Sequence, residues 1–303
     1  MTERSKRSRV ALIVNPVAGG GRGARVVGEA VYELRKRGVE PRIIVSVSPD
    51  EPPGDARRAA NDGADLVIAV GGDGHAAAVA SGLIGSHTPM AILPAGSAND
   101  LARTLKLPME DIPRAVDAAL NGATQRIDTI RVTTATGERH FLNVVGTGFD
   151  AEVAAAAERI TVMRGAGRYV LAILRVLPRF KAATLNLRID GEPRTERAMM
   201  IALANGPAYG GGMRVAPAAR LDSGELEICI VGEVSKPEFL KAFPRVFRGT
   251  HVDHPAVTML RGKRIEIEAD HPLDLLGDGE RAGQLPARVE VHPQSLSIVT
   301  MDL

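Results

Sequence analysis

Three stretches of this 303-residue chain set glycine beside groups able to meet phosphate or a metal ion. GGDG stands at 71–74, directly after the apolar run LVIAV at 66–70. Gly71, Gly72 and Gly74 let backbone N–H groups approach phosphate oxygens, and a helix opening at His75 or Ala76 adds partial positive charge. Asp73 can hold a metal ion or accept a proton. AILPAGSAND at 91–100 repeats the arrangement. There Gly96 permits close approach, Ser97 and Asn99 suit a helix cap or a phosphate contact, and Asp100 adds a carboxylate. The third stretch, NPVAGGGRG at 15–23, places Asn15, Pro16 and Gly19 in a turn, with Arg22 and Arg25 available for phosphate. Each stretch alone reads as a tight turn between strand and helix. Three of them leaving one parallel sheet point to a shared phosphate site at the carboxyl ends of its strands. No stretch reads GxxxxGK[ST], which excludes a Walker-type loop. A further pair of acids, Asp278 and Glu280, stands in LLGDGERAG, a hairpin turn by its Asp-Gly step.

The elements that must position these groups follow from periodicity. Apolar runs at 9–14, 43–47, 66–70 and 90–94 alternate with helical patterns at 24–37, near 54–62, from about 75, and near 98–105. Buried strands alternating with helices predict an α/β domain with a parallel sheet. Beyond about residue 125 the texture changes to short alternating runs rich in β-branched residues: IRVTTAT, HFLNVVG, ATLNLRID, AMMIALA, ELEICIV, RIEIEA and LSIVTMDL among them. These predict a mainly antiparallel β-sandwich, interrupted by helical stretches near 151–181 and 236–248. The expected domains are 1–128, to which a last strand at 295–303 returns, and 129–294.

Composition removes other classes. Cys229 is the only cysteine, so neither an intramolecular disulfide nor a four-thiolate zinc site can form. It falls in the alternating run ELEICIV and reads as core. Lys and Arg number 38 against 36 Asp and Glu, so an anionic partner must be met by a local patch. There is no tryptophan and only nine other aromatic rings (three Tyr, six Phe), too few for stacking platforms on single-stranded nucleic acid. No apolar run approaches the ~18 residues a membrane span needs. The expected location is cytoplasmic. His251 and His254 read as surface residues of a loop.

Taken in order, these motifs resemble the diacylglycerol kinase catalytic family, which includes bacterial lipid kinases and sphingosine kinases. The resemblance runs through Asn15-Pro16, GGDG at 71–74, PAGSANDLA at 94–102, NVVGTGFDAE at 143–152, ANGPAYGGGMRVAP at 204–217, LDSGEL at 221–226 and DGE at 278–280. It covers nearly the whole chain. It implies an ATP-dependent kinase that phosphorylates a lipid hydroxyl with Mg²⁺, the nucleotide lying over GGDG between two domains. Glu280 maps to the general base, and Asp73 and Asp100 to acids near the phosphates and the catalytic magnesium. A nucleotide-contacting hydroxyl after the second strand maps nearest to Ser46 or Ser48. The fold implied is that of NAD kinase and diacylglycerol kinase. Two other readings stay open: a nucleotide-binding homologue with weak or lost activity, and an NAD kinase-like enzyme.

Two departures from the family pattern stand out. After GGDG the family usually has Thr-x-Asn-Glu, and here His75, Ala76, Ala77 and Ala78 follow. His75 reads either as a phosphate contact or as packing over the loop. The second is LDSGEL, where bacterial members hold a structural magnesium with a second aspartate; Ser223 occupies that place. The ligand set would be Arg220 and Glu225 through their carbonyls, with Asp222 and Ser223.

A lipid kinase meets its substrate at a membrane, so the partners expected are a lipid alcohol and a peripheral membrane surface, at the inner membrane face. No nucleic acid is expected, and a homodimer is compatible with the chain. Residues 159–181 carry Arg159, Arg164, Arg168, Arg175, Arg179 and Lys181 without an acid. If one helix continues through Pro178, Arg168, Arg175 and Arg179 share a face suited to anionic lipid. Phe239, Phe243 and Phe247 stand four apart and read as packing for the β domain.

Overall fold

The computed structural model describes residues 7–48, 50–160 and 166–301. The chain divides into two units, one running to Thr129 and resuming at Pro293, the other spanning Ile130–His292.

The first unit alternates β1 (Val10–Val14), α1 (Ala18–Lys36), β2 (Arg42–Val45), α2 (Glu51–Asn61), β3 (Leu66–Gly71), α3 (Asp73–Leu83) and β4 (Met90–Pro94). α4 (Asp100–Thr104) and α5 (Ile112–Asn121) follow. The strands pair in parallel in the order β4-β3-β1-β2, in registers such as Val14 opposite Val70 and Val70 opposite Leu93. β1, β3 and β4 are buried along their whole length. Helices on both faces explain why these strands read as unbroken apolar runs. β2, at the sheet edge, is largely exposed. Val26, Ala30 and Leu34 form the buried stripe of α1. α5 is capped by Asp111, whose carboxylate accepts from the Arg114 amide at 2.9 Å.

β5 (Ala123–Thr134) leads into the second unit. That unit contains β6 (Gly137–Phe141), β7 (Val144–Gly148), α6 (Phe149–Glu158), α7 (Ala166–Val176), β8 (Ala183–Ile189) and β9 (Glu192–Ala204). Then come β10 (Leu226–Gly232), α8 (Lys236–Ala242), β11 (Val257–Gly262), β12 (Arg264–Ala269), β13 (Asp274–Gly277), β14 (Glu280–Gln284) and β15 (Ala287–Thr300). The pairing is antiparallel, in the order β14-β13-β7-β9-β8-β12-β15, with β10 and β11 branching from β9 and β6 paired to β5. Inward residues such as Val145, Leu185, Leu203, Ile228, Ile265 and Leu275 form its core. β15 is one strand: its first residues pair with β12, and Ile298 lies beside Met90 of β4 in parallel. The fold class read from the run pattern is the one observed.

Local departures have physical causes. HFLNVVG is not one strand but two, broken at Leu142 and Asn143. α7 ends at Val176, two residues before Pro178, because the proline ring disfavours helical geometry in the residue before it. The basic side chains therefore do not share one long helix. Arg164 lies outside the described residues. Phe239 is buried edge-on to Phe149 at 4.7 Å and Phe243 packs beside it, but Phe247 is 49% exposed. His251 is buried rather than on the surface, its Nε2 paired with the Val215 carbonyl at 3.1 Å. Cys229 is a free, fully buried thiol, and burial pushes its pKa up to about 12. Among the described residues no helix is long and apolar enough to cross a membrane.

Candidate functional site

The three glycine stretches of the first unit meet. A Cβ built on Gly19 would lie 2.2 Å from the Ala95 carbonyl oxygen. One on Gly96 would lie 2.5 Å from the Gly72 Cα. These approaches are open only to glycine, and they bring together the loops that follow β1, β3 and β4. Gly19, Gly20 and Gly21 all have positive φ, so the start of α1 is a left-handed turn and not regular helix. Asn15 secures that turn: its Oδ1 accepts from the Val17 amide at 3.2 Å. Pro16 follows it in the turn. Gly72 caps α3 from an extended conformation, and the Ala76 amide makes the first bond back, to the Gly72 carbonyl. The amides of Asp73, Gly74 and His75 thus form the open, partly positive end of an 11-residue helix.

Around that end the side chains have specific tasks. Asp73 lies beside Asp100, and its Oδ1 accepts from the Leu101 amide at 3.2 Å. Burial, then the neighbouring charge of Asp100, raise the Asp73 pKa. Asn99 sits in the left-handed region and closes a small ring on Gly96, accepting from its amide at 2.9 Å and donating to its carbonyl at 2.8 Å. The amide of Gly96 and the side chain of Asn99 therefore hold the loop rather than remain open to a phosphate. Ser97 is exposed, with its hydroxyl free of bonds to described residues.

His75 is turned inward. Its ring lies against Gly71, where a Cβ would come within 2.6 Å of the ring, and its Nε2 donates to the Ile13 carbonyl at 3.0 Å. Burial lowers its pKa, so the ring is a neutral imidazole bound to the backbone of β1. Of the two readings of His75, the geometry takes packing over the loop. Ser46 is likewise committed, donating to Asp55 at 3.0 Å in a buried position. Ser48 is half-buried, its backbone amide donating to Glu51 at 3.2 Å. Arg22 donates to the Met109 carbonyl at 3.1 Å, whereas Arg25 is exposed.

In the second unit Glu280 opens β14 directly after a two-residue loop. Gly277 pairs with Glu280, and Asp278 and Gly279 both have positive φ, 49° and 84°. This is the Asp-Gly hairpin expected from sequence. The Glu280 carboxylate is 45% exposed and lies 3.4 Å from Arg139 Nη2. Arg139 also donates to the Arg281 carbonyl, and its guanidinium sits 5.4 Å from the Phe141 ring centroid. Asp278 points the other way. Its Oδ2 accepts from the Leu142 amide at 2.6 Å, and its Oδ1 from the Asn143 and Val144 amides, each at 3.0 Å. Sequence reasoning missed Arg139, which carries no local signal. It also missed the work of Asp278, for which the positive-φ turn was the available hint.

The 220–225 loop does not fit a magnesium ion. Asp222 is engaged by the Arg220 guanidinium at 3.2 Å, and the Ser223 hydroxyl donates to the Glu225 carbonyl at 2.8 Å. The hydroxyl hydrogen is thus taken by one proposed carbonyl ligand, and the set offers a single side-chain carboxylate, which faces a cation. A hard divalent ion needs several free oxygens. Among the described residues no group of three or more His, Cys, Asp or Glu could hold a metal. In the first unit, by contrast, Asp73 and Asp100 are two adjacent oxygen donors whose mutual repulsion a divalent ion would relieve.

Comparison with known proteins places this geometry in context. Residues 9–132 match the diacylglycerol kinase catalytic domain, and residues 143–300 match the YegS C-terminal NAD kinase beta sandwich-like domain. A diacylglycerol kinase of Mycobacterium tuberculosis is 31% identical over 298 residues, covering 98% of this chain and 96% of its own. One of Bacillus subtilis is 27% identical, covering 93% and 92%. A crystal structure of a diacylglycerol kinase from Bacillus anthracis shares the fold, with a TM-score of 0.73 at 21% identity over 98% of both chains.

Proposed function

The chain belongs to the diacylglycerol kinase family and is a lipid kinase, and on that premise we propose that it transfers the γ-phosphoryl group of ATP to the hydroxyl of a lipid alcohol such as diacylglycerol. The observation that carries the reading is the meeting of three glycine loops at the carboxyl ends of β1, β3 and β4, beside the N-terminus of α3. Phosphoryl transfer asks a protein chiefly for positioning and charge neutralisation. Here the α3 amides supply donors for phosphate oxygens, and Arg25, exposed on α1, is a further donor in this reading. Asp73 and Asp100 would hold Mg²⁺, which when bound neutralises charge on the phosphates. Glu280 is the general base, taking the proton from the acceptor hydroxyl as the oxygen attacks phosphorus.

The acceptor reading draws support from the second unit. A cavity of about 380 Å³ there mixes Ala155, Val176 and Leu273 with Glu152 and Asp274. Such a lining suits the junction between an acyl chain and a polar headgroup. Membrane access is supported by α7, which exposes Val170 and Leu174 (56% and 55%), with Arg175, Arg179 and Lys181 close by in sequence.

The test is transfer of label from [γ-³²P]ATP to diacylglycerol in mixed micelles and to a total lipid extract, with NAD as a parallel acceptor. Wild type should label lipid, and Glu280→Gln and Asp73→Ala should lose at least a hundredfold in kcat. Equal rates in all three proteins would refute the assignment of roles, and labelled NAD without labelled lipid would refute the acceptor.

A further inference from the structure

The loop that presents Glu280 is not held by its own hairpin alone. Asp278 sends both carboxylate oxygens back to three consecutive amides, those of Leu142, Asn143 and Val144, more than 130 residues earlier in the chain. These amides lie where β6 and β7 separate, so strand pairing between β5 and β6 or between β7 and β9 stops short of Leu142 and Asn143. The return bond, from the Asp278 amide to the Val144 carbonyl at 3.0 Å, closes the junction. Asn143 extends it, since its carbonyl accepts from the Asn205 and Gly206 amides and its side chain donates to the Ala208 carbonyl. A side chain in place of Gly206 would displace Asn143, since a Cβ there would fall 1.8 Å from Asn143 Oδ1.

We propose that Asp278 is the positioning residue of this kinase: its carboxylate ties the turn to the β6–β7 break and so fixes the direction in which Glu280 meets the acceptor hydroxyl. The inference rests on the role assigned to Glu280 above. Its chemistry is specific to a carboxylate. Two oxygens receive three N–H donors, whereas an amide in the same place must turn its NH₂ toward at least one of them, donor against donor. The turn itself does not need the acid, because asparagine is as well suited as aspartate to the first position of such a loop. Asp278→Asn therefore removes the tie while leaving the backbone conformation accessible.

The experiment is a double-mutant cycle on lipid kinase activity with Asp278→Asn, Glu280→Gln and the double variant, alongside thermal unfolding of all four proteins. Asp278→Asn should lower kcat at least tenfold with the KM for ATP changed less than twofold. In the Glu280→Gln background the same change should cost less than twofold, although its effect on unfolding stays the same. An undiminished kcat would overturn the proposal. So would an equal loss in both backgrounds, which marks a purely structural residue, and so would a raised KM for ATP at constant kcat, which marks a nucleotide contact. Amide hydrogen exchange on the wild-type protein tests the tie without any variant. The amides of Leu142 and Asn143 should be protected despite lying between strands, and rapid exchange there would sink the idea even if the variants fail to fold. If Glu280→Gln keeps full activity, the base assignment falls instead, and the exchange result still reports on the tie.

Discussion

Asp150 lies in the first turn of α6, in the second unit. Its Oδ2 accepts from the Tyr209 hydroxyl at 3.1 Å, while its Oδ1 is closed off from solvent and unpaired among the described residues. Burial lifts its pKa from an ordinary 3.8 to about 6, against the opposing pull of backbone amides and Tyr209. A carboxyl whose folded pKa lies above its unfolded one favours folding fully below the unfolded value. That advantage is lost as pH rises through the folded value. Relative to a side chain that never ionises, Asp150 therefore lowers folding stability by about 3 kcal/mol at pH 7.5 but by only about 1 kcal/mol at pH 4.5, where the unfolded chain alone is ionised. Asp150→Asn removes this slope. Any constant loss from a weaker Tyr209 bond cancels when the two pH values are compared. The variant should thus gain about 2 kcal/mol on wild type between pH 4.5 and pH 7.5. For a unit of this size that is a relative shift of roughly 4–8 °C in melting temperature. Differential scanning calorimetry of both proteins at the two pH values reads it directly. A melting difference that stays constant, or moves the opposite way, would show that Asp150 is not a buried acid held against its ionisation.

Three further outcomes are expected. Gly96→Ala drives a methyl to 2.5 Å from the Gly72 Cα and 2.8 Å from Asn99 Oδ1; it should cost about 1–3 kcal/mol and abolish the thermal shift on adding ATP, and retention of that shift would separate the loops from the nucleotide. Ser223→Asp supplies the missing carboxylate beside Asp222, so without nucleotide Mg²⁺ should raise its melting temperature by a few degrees, as about 1 kcal/mol of added binding implies, while wild type moves less; equal responses would mean that the native loop already takes the ion. Binding to vesicles rich in phosphatidylglycerol should fall with salt, and Arg179→Gln or Lys181→Gln should each weaken it about fivefold, at about 1 kcal/mol per charge; sedimentation with the vesicles that ignores salt would remove α7 and its flank as the docking surface.

The glycine loops were legible because strand, glycine and helix follow one another locally, and a parallel sheet sends its loops to one edge whatever the details. The Asp278–Gly279 hairpin was legible for the same reason, its two positive φ values being written into an Asp-Gly pair. What escaped were contacts between distant parts of the chain. Nothing near His75 indicates that its ring folds back on Gly71 to reach the Ile13 carbonyl, a bond across 62 positions. Ser46 and Ser48 are equivalent in sequence, and only the arrival of Asp55 on α2 commits the first. The stop at Pro178 was visible in principle, and the departure there is local: α7 gives up its last turn to the proline.

β15 also bears on how the protein is made. The parallel sheet that holds the glycine loops receives a strand, through Ile298 beside Met90, only from beyond residue 292. During synthesis the first 129 residues therefore emerge without their closing neighbour, and some 160 further residues must be translated before it arrives. Until then the β4 edge is an open template for other nascent strands. A chain truncated after residue 292 should be prone to aggregate, with its first unit left unsealed.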